Sequence, residues 1–337
     1  AAGYLSFYVS SRIIIPRMKV SLILTVLNEG EHIRRLLDSV ARQSRLPDEV
    51  VVCDGGSQDN TAAVIEEYAN RLPLKIIVVP GANISQGRNA AIRAATSDVV
   101  AVTDAGVWLE EGWLEELLRA GKWGKEGNGG KVAVVAGFYR SGPQNVFEVA
   151  LGATTLPDVS EINPARFLPS SRSVAFRKAA WEAVGGYPEW LDFSEDVVFD
   201  LAMREKFGAF AFAPKAVAHF RPRPSLAAFA RQYFNYAKGD GKANLWLKIH
   251  FIRYFTYLAA APLLVYAAVT VSPWLWALGA AAGLAYIRRP LQRLARRGLA
   301  RSLAAIPWMI IIRVTGDVAK MIGYPVGVWR RLRWYLN

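Results

Sequence analysis

The chain has one cysteine, Cys53, and three histidines, His32, His219 and His250, among its 337 residues. A lone thiol excludes an intramolecular disulfide and a cysteine-built zinc site, and three histidines are too few for a histidine-rich metal cage. Acid is scarce at one end. Residues 241–337 hold 14 of the 41 Lys/Arg but one of the 28 acids, Asp317, so this stretch carries the whole net charge of +13 while residues 1–240 balance at zero. The usual nucleotide and hydrolase signatures are missing too. No Gly-x-Gly-x-x-Gly follows a strand, and there is no Gly-Lys-Ser/Thr loop and no Gly-x-Ser-x-Gly elbow. Dinucleotide enzymes, P-loop NTPases and α/β hydrolases are thereby disfavoured. A hydrophobic content of 53% rules out a disordered chain. The length suits one large domain with added elements, or two domains.

The excess positive charge coincides with the most apolar, tryptophan-rich part of the chain. That combination reads as membrane segments with basic cytosolic anchors, not as a nucleic-acid stripe, and no nucleic acid is expected. Tyr254–Val271 is eighteen residues without a charge, about enough to cross a ~30 Å hydrocarbon layer at ~1.5 Å per residue. Ser272-Pro273 breaks it, and Pro273–Ile287 is a second uncharged run. Arg288, Arg289, Arg293, Arg296, Arg297 and Arg301 follow with no acid between them. The positive-inside rule puts that loop in the cytosol, and two crossings then put everything before Tyr254 there as well. Ser302–Val328 is a third apolar stretch, interrupted by Arg313, Asp317 and Lys320 on one helix face. It is expected to lie in the interface or re-enter, with a third crossing as the alternative. The expected organisation is an extension over 1–17, a catalytic domain over 18–224, an amphipathic interface helix and joint over 225–241, and a membrane domain over 242–337. Within Ala1–Arg17 the apolar run Tyr4–Ile15 is too short to span and lacks a signal-peptide cleavage pattern, so the extension receives no function.

From Met18 the pattern alternates. Val20–Leu27, Glu49–Cys53, Leu74–Val79, Val99–Thr103 and Val132–Phe138 read as strands. Glu31–Gln43, Asp59–Leu72, Gln86–Ala95 and Glu110–Ala120 read as helices between them. This predicts an α/β domain with a mostly parallel sheet covered by helices, whose ligands sit at the carboxyl ends of the strands. Three of those ends are acid-bearing turns: Asn28-Glu29, Asp54-Gly55-Gly56-Ser57 and Asp104-Ala105-Gly106. Any one alone is an ordinary turn or helix cap; three on one sheet edge make a site. Ser225–Lys238 is amphipathic, with Leu226, Phe229, Ala230, Tyr233 and Ala237 on one face, and is expected to lie on the membrane surface.

Taken in order, Thr25–Glu29, Asp54–Thr61, Gly87-Arg88-Asn89, Thr103–Gly106, Gly185-Gly186-Tyr187-Pro188 and Ser194-Glu195-Asp196 resemble the family 2 glycosyltransferases. With its tail, the chain is similar to their cellulose-synthase-like and polyisoprenyl-phosphate-linked branches. The resemblance covers Met18–Ala243 motif by motif. It implies a GT-A fold, that is, a Rossmann-like mostly parallel sheet flanked by helices, here followed by a small α-helical membrane domain. It further implies a nucleotide-diphosphate sugar as donor. Asp54 would contact the base, Asn28 and Glu29 would line the same wall, and Arg88 would pair with a phosphate or fix Asp54. Arg172 and Ser173 would line the acceptor or diphosphate pocket, with Arg231 and Gln232 as further candidates for contact with acceptor or diphosphate. Members usually hold Mg²⁺ or Mn²⁺ with an Asp-x-Asp turn. Here the third position is Gly106, which leaves Asp104 for metal, ribose or both, and His219 as a second candidate ligand. The family position makes Asp196 the base and Glu195 its orienter, hence an inverting hexosyltransferase. GDP-mannose and UDP-glucose are the expected donors. The expected acceptor is lipid-linked or membrane-proximal, with membrane lipids as further partners. A nucleotidyltransferase and a catalytically impaired glycan-binding scaffold are the competing readings.

Overall fold

A computed structural model of the chain describes residues 18–123, 132–296 and 303–336; the 1–17 extension, Arg297, Gly298, Arg301 and Ser302 lie outside the described residues. The first half alternates as expected. Strands β1 (Val20–Val26), β2 (Glu49–Asp54), β3 (Leu74–Val78) and β4 (Val99–Val102) are separated by helices α1 (Gly30–Ala41), α2 (Thr61–Glu66) and α3 (Ile84–Ala94). β1, β2 and β4 are covered by protein on both faces, which is why they read as unbroken apolar runs and not as alternating ones. α2 is shorter than expected. After Glu66 the chain reaches Leu72 through successive turns, with Tyr68 N donating to the Ile65 carbonyl and Arg71 N to that of Tyr68.

Beyond β4 come β5 (Val107–Leu109), α4 (Trp113–Gly121), β6 (Val134–Ser141), α5 (Val146–Thr155), β7 (Val174–Arg177), α6 (Lys178–Ala183), α7 (Glu195–Phe207) and β8 (Ala211–Phe220). The described strands form one sheet of order β3-β2-β1-β4-β7-β6-β8-β5. Its β3-β2-β1-β4 side and the β6–β8 pair are parallel; β7 runs antiparallel to both β4 and β6, and β5 antiparallel to β8. The sheet is therefore mostly parallel, with an antiparallel insertion at β7. The sequence reading lacked β5 and β7, because strands of three and four residues carry no resolvable period. One face of the sheet buries Leu22 and Leu24 against Ile33, Leu36, Leu37 and Val40 of α1. The other buries Ile23, Val51 and Cys53 against Ile92, Phe176 and Phe199.

The C-terminal part is helical: α8 (Leu226–Lys242), α9 (Leu247–Phe255), α10 (Ala261–Thr270), α11 (Leu275–Ala295) and α12 (Ile306–Leu336). A π-helical turn, Thr256–Ala260, joins α9 to α10. Pro262 follows it and has no N–H to return to the Leu258 carbonyl, which accounts for the widened turn. The helical stretch Leu247–Thr270 is, among the described residues, the one long and apolar enough to cross a membrane. It starts seven residues before the expected Tyr254.

The expected interface helix α8 turns its apolar face to protein. Phe229 is buried with Leu151 of α5 and with Met309 and Ile312 of α12. The third apolar segment is a 31-residue helix docked along α8. Gly323 and Gly327 of α12 lie against the Phe234 and Lys238 carbonyls of α8, where any Cβ would collide, and Gly316 packs tightly on the Phe229 ring. Its charges point into the helical cluster. Arg313 donates to the Tyr286 carbonyl at 2.9 Å. Asp317 receives Arg253 at 2.7 Å and the hydroxyls of Tyr257 and Tyr286.

Candidate active site

The site forms at the carboxyl ends of β1, β2 and β4. Asn28 leaves β1 in a left-handed conformation, φ 55°. Its side-chain oxygen accepts from Gln58 N at 2.8 Å, while its own N–H donates to Ser57 Oγ at 2.9 Å. Asp54 closes β2 and accepts on one oxygen, Oδ1, from Gly56 N, Ser57 N and Ser57 Oγ at 2.8–3.0 Å. The β1 and β2 turns are thus stitched into one wall. Asp59 extends the stitching by accepting from Gly30 N at 3.1 Å and Thr61 N at 3.0 Å. Glu29 belongs to the same wall. Burial raises its carboxyl, His32 and Arg223 oppose the rise, and the charge of Asp104 adds to it.

Arg88 is the centre of the constellation. α3 starts with a capping box between Asn83 and Gln86, and Gly87 lets the helix lie against Thr25 of β1. The next residue, Arg88, is therefore buried, 2% exposed. One guanidinium nitrogen donates to Asp104 Oδ1 at 2.8 Å, another to Glu195 Oε1 at 2.7 Å. Arg88 therefore fixes Asp104 and Glu195, not Asp54 as one sequence-based alternative had it. The neighbouring Asn89 ties the Gly185–Pro188 turn to this motif. Its amide donates to the Tyr187 carbonyl and accepts from Tyr187 N and Trp181 Nε1 at 2.8–3.1 Å. Gly186, φ 78°, leaves no room for a side chain beside Asn89.

Arg172 faces Asp104 from the other side, Nε to Oδ2 at 3.7 Å, and stacks over Phe220 at 4.6 Å. Asp104 and Asp196 act on its charge, as do Tyr236 and Tyr139. These residues share one polar region, called the chamber below, which sequence reasoning outlined without Tyr139 and Tyr236. Neither tyrosine stands in a motif; β6 and α8 bring them in. Burial alone would lift the Asp104 carboxyl, but Arg88 and Arg172 outweigh it and hold it below the usual range. Opposite, α7 begins with Glu195 and Asp196. Burial, joined by the charge of Asp196 and opposed by Arg88, raises Glu195 to about 7. Asp196 is raised as well, by burial and Asp104, against Arg88 and Arg172. One turn on, Asp200 is 3% exposed with Oδ2 unpartnered, and burial pushes it well up. The site therefore sets Asp104, held ionised by its two arginines, against acids that burial makes harder to ionise, a division of labour suited to proton transfer.

Three predicted residues are engaged elsewhere. His219 Nε2 meets Glu110 Oε1 at 2.9 Å and stacks on Trp108, centroids 5.5 Å apart. Its neighbour Phe220 turns to Arg172, so strand alternation carries His219 to the other face. The structure does not bring it to Asp104. Ser173 is fully buried between Trp113 Nε1 and the Ala216 carbonyl, each 2.8 Å away, and lines no pocket. Arg231 is exposed on α8. Gln232 does approach the chamber, donating to Tyr236 Oη at 2.7 Å.

Of the expected cation ligands, the structure leaves Asp104 without His219. Asp104 is already shared by two arginines, and the space beside Gly106 is open. No cluster of three His, Cys, Asp or Glu that could hold an ion occurs among the described residues.

Comparison with known proteins agrees with the fold and the motifs. The model of glycosyl transferase family 2 matches residues 21–183. An uncharacterized glycosyltransferase of Nostoc sp. is 39% identical over 94 residues, which is 27% of this chain and 29% of that protein. The poly(ribitol-phosphate) beta-N-acetylglucosaminyltransferase TarS of Staphylococcus aureus is 30% identical over 191 residues, 55% of this chain and 32% of that one. The chain thus matches about a third of the length of these curated relatives. Among solved structures, the mannosyltransferase PcManGT of Pyrobaculum calidifontis, in complex with GDP-Man and Mn²⁺, superposes with a TM-score of 0.59 at 20% identity, over 91% of this chain and 87% of that one. Matched motifs at three strand ends, a GT-A sheet and the family match agree: residues 21–183 are a family 2 glycosyltransferase domain.

Proposed function

We propose that the chain is a membrane-bound inverting glycosyltransferase that moves a hexose from a nucleotide-diphosphate sugar to a hydroxyl of a lipid-linked or membrane-proximal acceptor. The observation that carries this reading is the Arg88 bridge, which joins the donor-side Asp104 to Glu195 at the start of the base-bearing helix. The nucleotide lies along the wall of Asn28, Glu29 and Asp54, and the diphosphate faces Arg172. The acceptor enters beside Tyr139 and Tyr236. Asp196 takes the proton of the acceptor hydroxyl as its oxygen bonds to the anomeric carbon. The bond from that carbon to the diphosphate oxygen breaks, and its electron pair leaves with the nucleoside diphosphate. One displacement inverts the anomeric centre. Glu195, held by Arg88, keeps Asp196 oriented. GDP-mannose is the first donor to try, since PcManGT was solved with GDP-Man, and UDP-glucose the second.

Membrane attachment is supported by the apolar stretch Leu247–Thr270. Arg293 binds Glu161 at 2.7 Å and 2.8 Å, and Arg296 binds Asp158 at 3.0 Å. Both acids belong to the catalytic half, so the basic end of α11 and the site lie on the same side. The positive-inside rule makes that side cytoplasmic. The test uses the purified full chain in detergent with a panel of nucleotide sugars and a lipid-linked sugar that carries free hydroxyls. Transfer should occur with one donor, with inversion read by NMR, and Asp196→Asn should cut turnover by ~10²–10⁴-fold at unchanged donor affinity. Absence of both transfer and donor hydrolysis across the panel would refute the reading.

A further inference from the structure

Helix α7 starts under strain. Ser194, the residue before Glu195, sits at φ 63°, a left-handed conformation that costs energy for any residue with a side chain and persists where neighbours hold it. Its side chain provides no cap to α7. Its hydroxyl instead reaches α8, donating to Asp240 Oδ1 at 3.0 Å and lying 3.3 Å from the Tyr236 carbonyl. The adjacent Gly239 brings the α8 backbone so close that a Cβ there would strike the Phe193 carbonyl and Ser194 Oγ.

Asp240 is itself held from behind. Its second oxygen faces His250 Nε2 at 3.4 Å, and the imidazole is stacked on Tyr324 of α12, centroids 3.9 Å apart. His250 Nδ1 is 3.1 Å from Arg253, and Arg253 binds Asp317 at 2.7 Å. A continuous polar line thus runs from the first residue of the catalytic turn to the interior of the C-terminal helices.

We propose that Asp240 is a positioning residue for catalysis: with Gly239 it clamps Ser194 in its left-handed conformation and so aims Glu195 and Asp196 into the chamber. Asp240 touches neither donor nor acceptor. It acts through one hydroxyl, and the helices behind it make the active-site turn depend on the docked tail. The inference rests on the reading of Asp196 as base.

The test is made on the full chain in lipid nanodiscs with the donor and acceptor that support transfer. Asp240→Ala should lower kcat by about 10²-fold, the loss expected for a reacting group displaced by about 1 Å, with the donor KM unchanged. Asp240→Asn keeps an oxygen for Ser194 and should restore most of the turnover. Hydrogen exchange supplies a readout that needs no activity. Peptides covering 193–198 should exchange faster in Asp240→Ala and in Ser194→Ala, while peptides from β1 and β2 stay as in the parent. Parental exchange at 193–198 in both variants would overturn the inference. So would an Asp240→Asn as impaired as Asp240→Ala, or a loss confined to donor KM. If the parent transfers no sugar at all, the reading of Asp196 fails, while the exchange data still decide whether Asp240 holds Ser194.

Discussion

Asp104 and Glu195 share one guanidinium, and that arrangement governs how the site responds to pH. In the unfolded chain Glu195 ionises near 4.5; in the fold it resists until about 7. The folded state therefore binds the extra proton between those values. Stability from this group is fully present below about 4.5 and is lost as the pH rises towards 7. Glu195→Gln should accordingly raise the thermal midpoint relative to the parent more at alkaline than at acid pH. Transfer should depend on pH through an ascending limb belonging to the Glu195–Asp196 pair. Removing one negative charge by Glu195→Gln should move that limb to lower pH in a kcat profile. Arg88→Lys is not conservative here, because a single ammonium cannot reproduce the two-pronged contact. It leaves one carboxylate without its buried partner and should destabilise by about 3–5 kcal/mol, read from chemical unfolding. Asp104→Ala should weaken nucleotide-sugar binding in calorimetry while the fold survives; unchanged affinity would remove Asp104 from the donor site.

At the scale of elements, the seam between α8 and α12 decides whether the tail is a passenger or a part of the enzyme. Gly323 and Gly327 allow the two helices to meet backbone to backbone, the close approach that small residues four apart permit. A leucine at 323 would have to displace the Phe234 carbonyl. Gly323→Leu should lower the thermal midpoint and loosen α8, so that limited proteolysis cuts after α8 before it cuts the sheet. The substitution Gly283→Leu, on α11 where nothing lies within reach of a Cβ, is the control and should leave the midpoint in place. The face of α8 had been expected to lie on lipid. Amphipathicity reports only that one side avoids water; whether lipid or another helix covers it is set by a segment more than 60 residues further on.

For the whole molecule the issue is orientation. A cysteine at 272, in a background where Cys53 is replaced, should be labelled from outside sealed cells. One at 227, exposed on α8, should be labelled only after permeabilisation. The buried Cys53 thiol is pushed up to about 11, chiefly by burial, so it plays no part beyond packing in β2. Labelling at 227 from outside would invert the proposed topology.

The sequence by itself determined the alternating first half, because unbroken apolar runs bounded by polar turns have one good solution, a parallel sheet under helices. It also singled out Asn28, Asp54 and Asp104, since polar, acid-bearing turns at strand ends stand out against apolar surroundings, while Arg88, Glu195 and Asp196 came from the resemblance to family 2 glycosyltransferases. It placed an apolar, basic tail at the C-terminus from composition alone. Tertiary structure decided the partners. That Arg88 binds Asp104 and Glu195, 16 and 107 residues away, follows from β4 and α7 being brought beside α3, which no local period encodes. His219 shows the converse. Its chemistry suits a metal, but strand alternation turns it towards Glu110. Asp240 carried no signal and Ser194 entered only as part of the Ser194-Glu195-Asp196 motif, because a serine before an acidic helix start and an aspartate between glycines are ordinary locally. Only the approach of α8 to α7 gives them a common task.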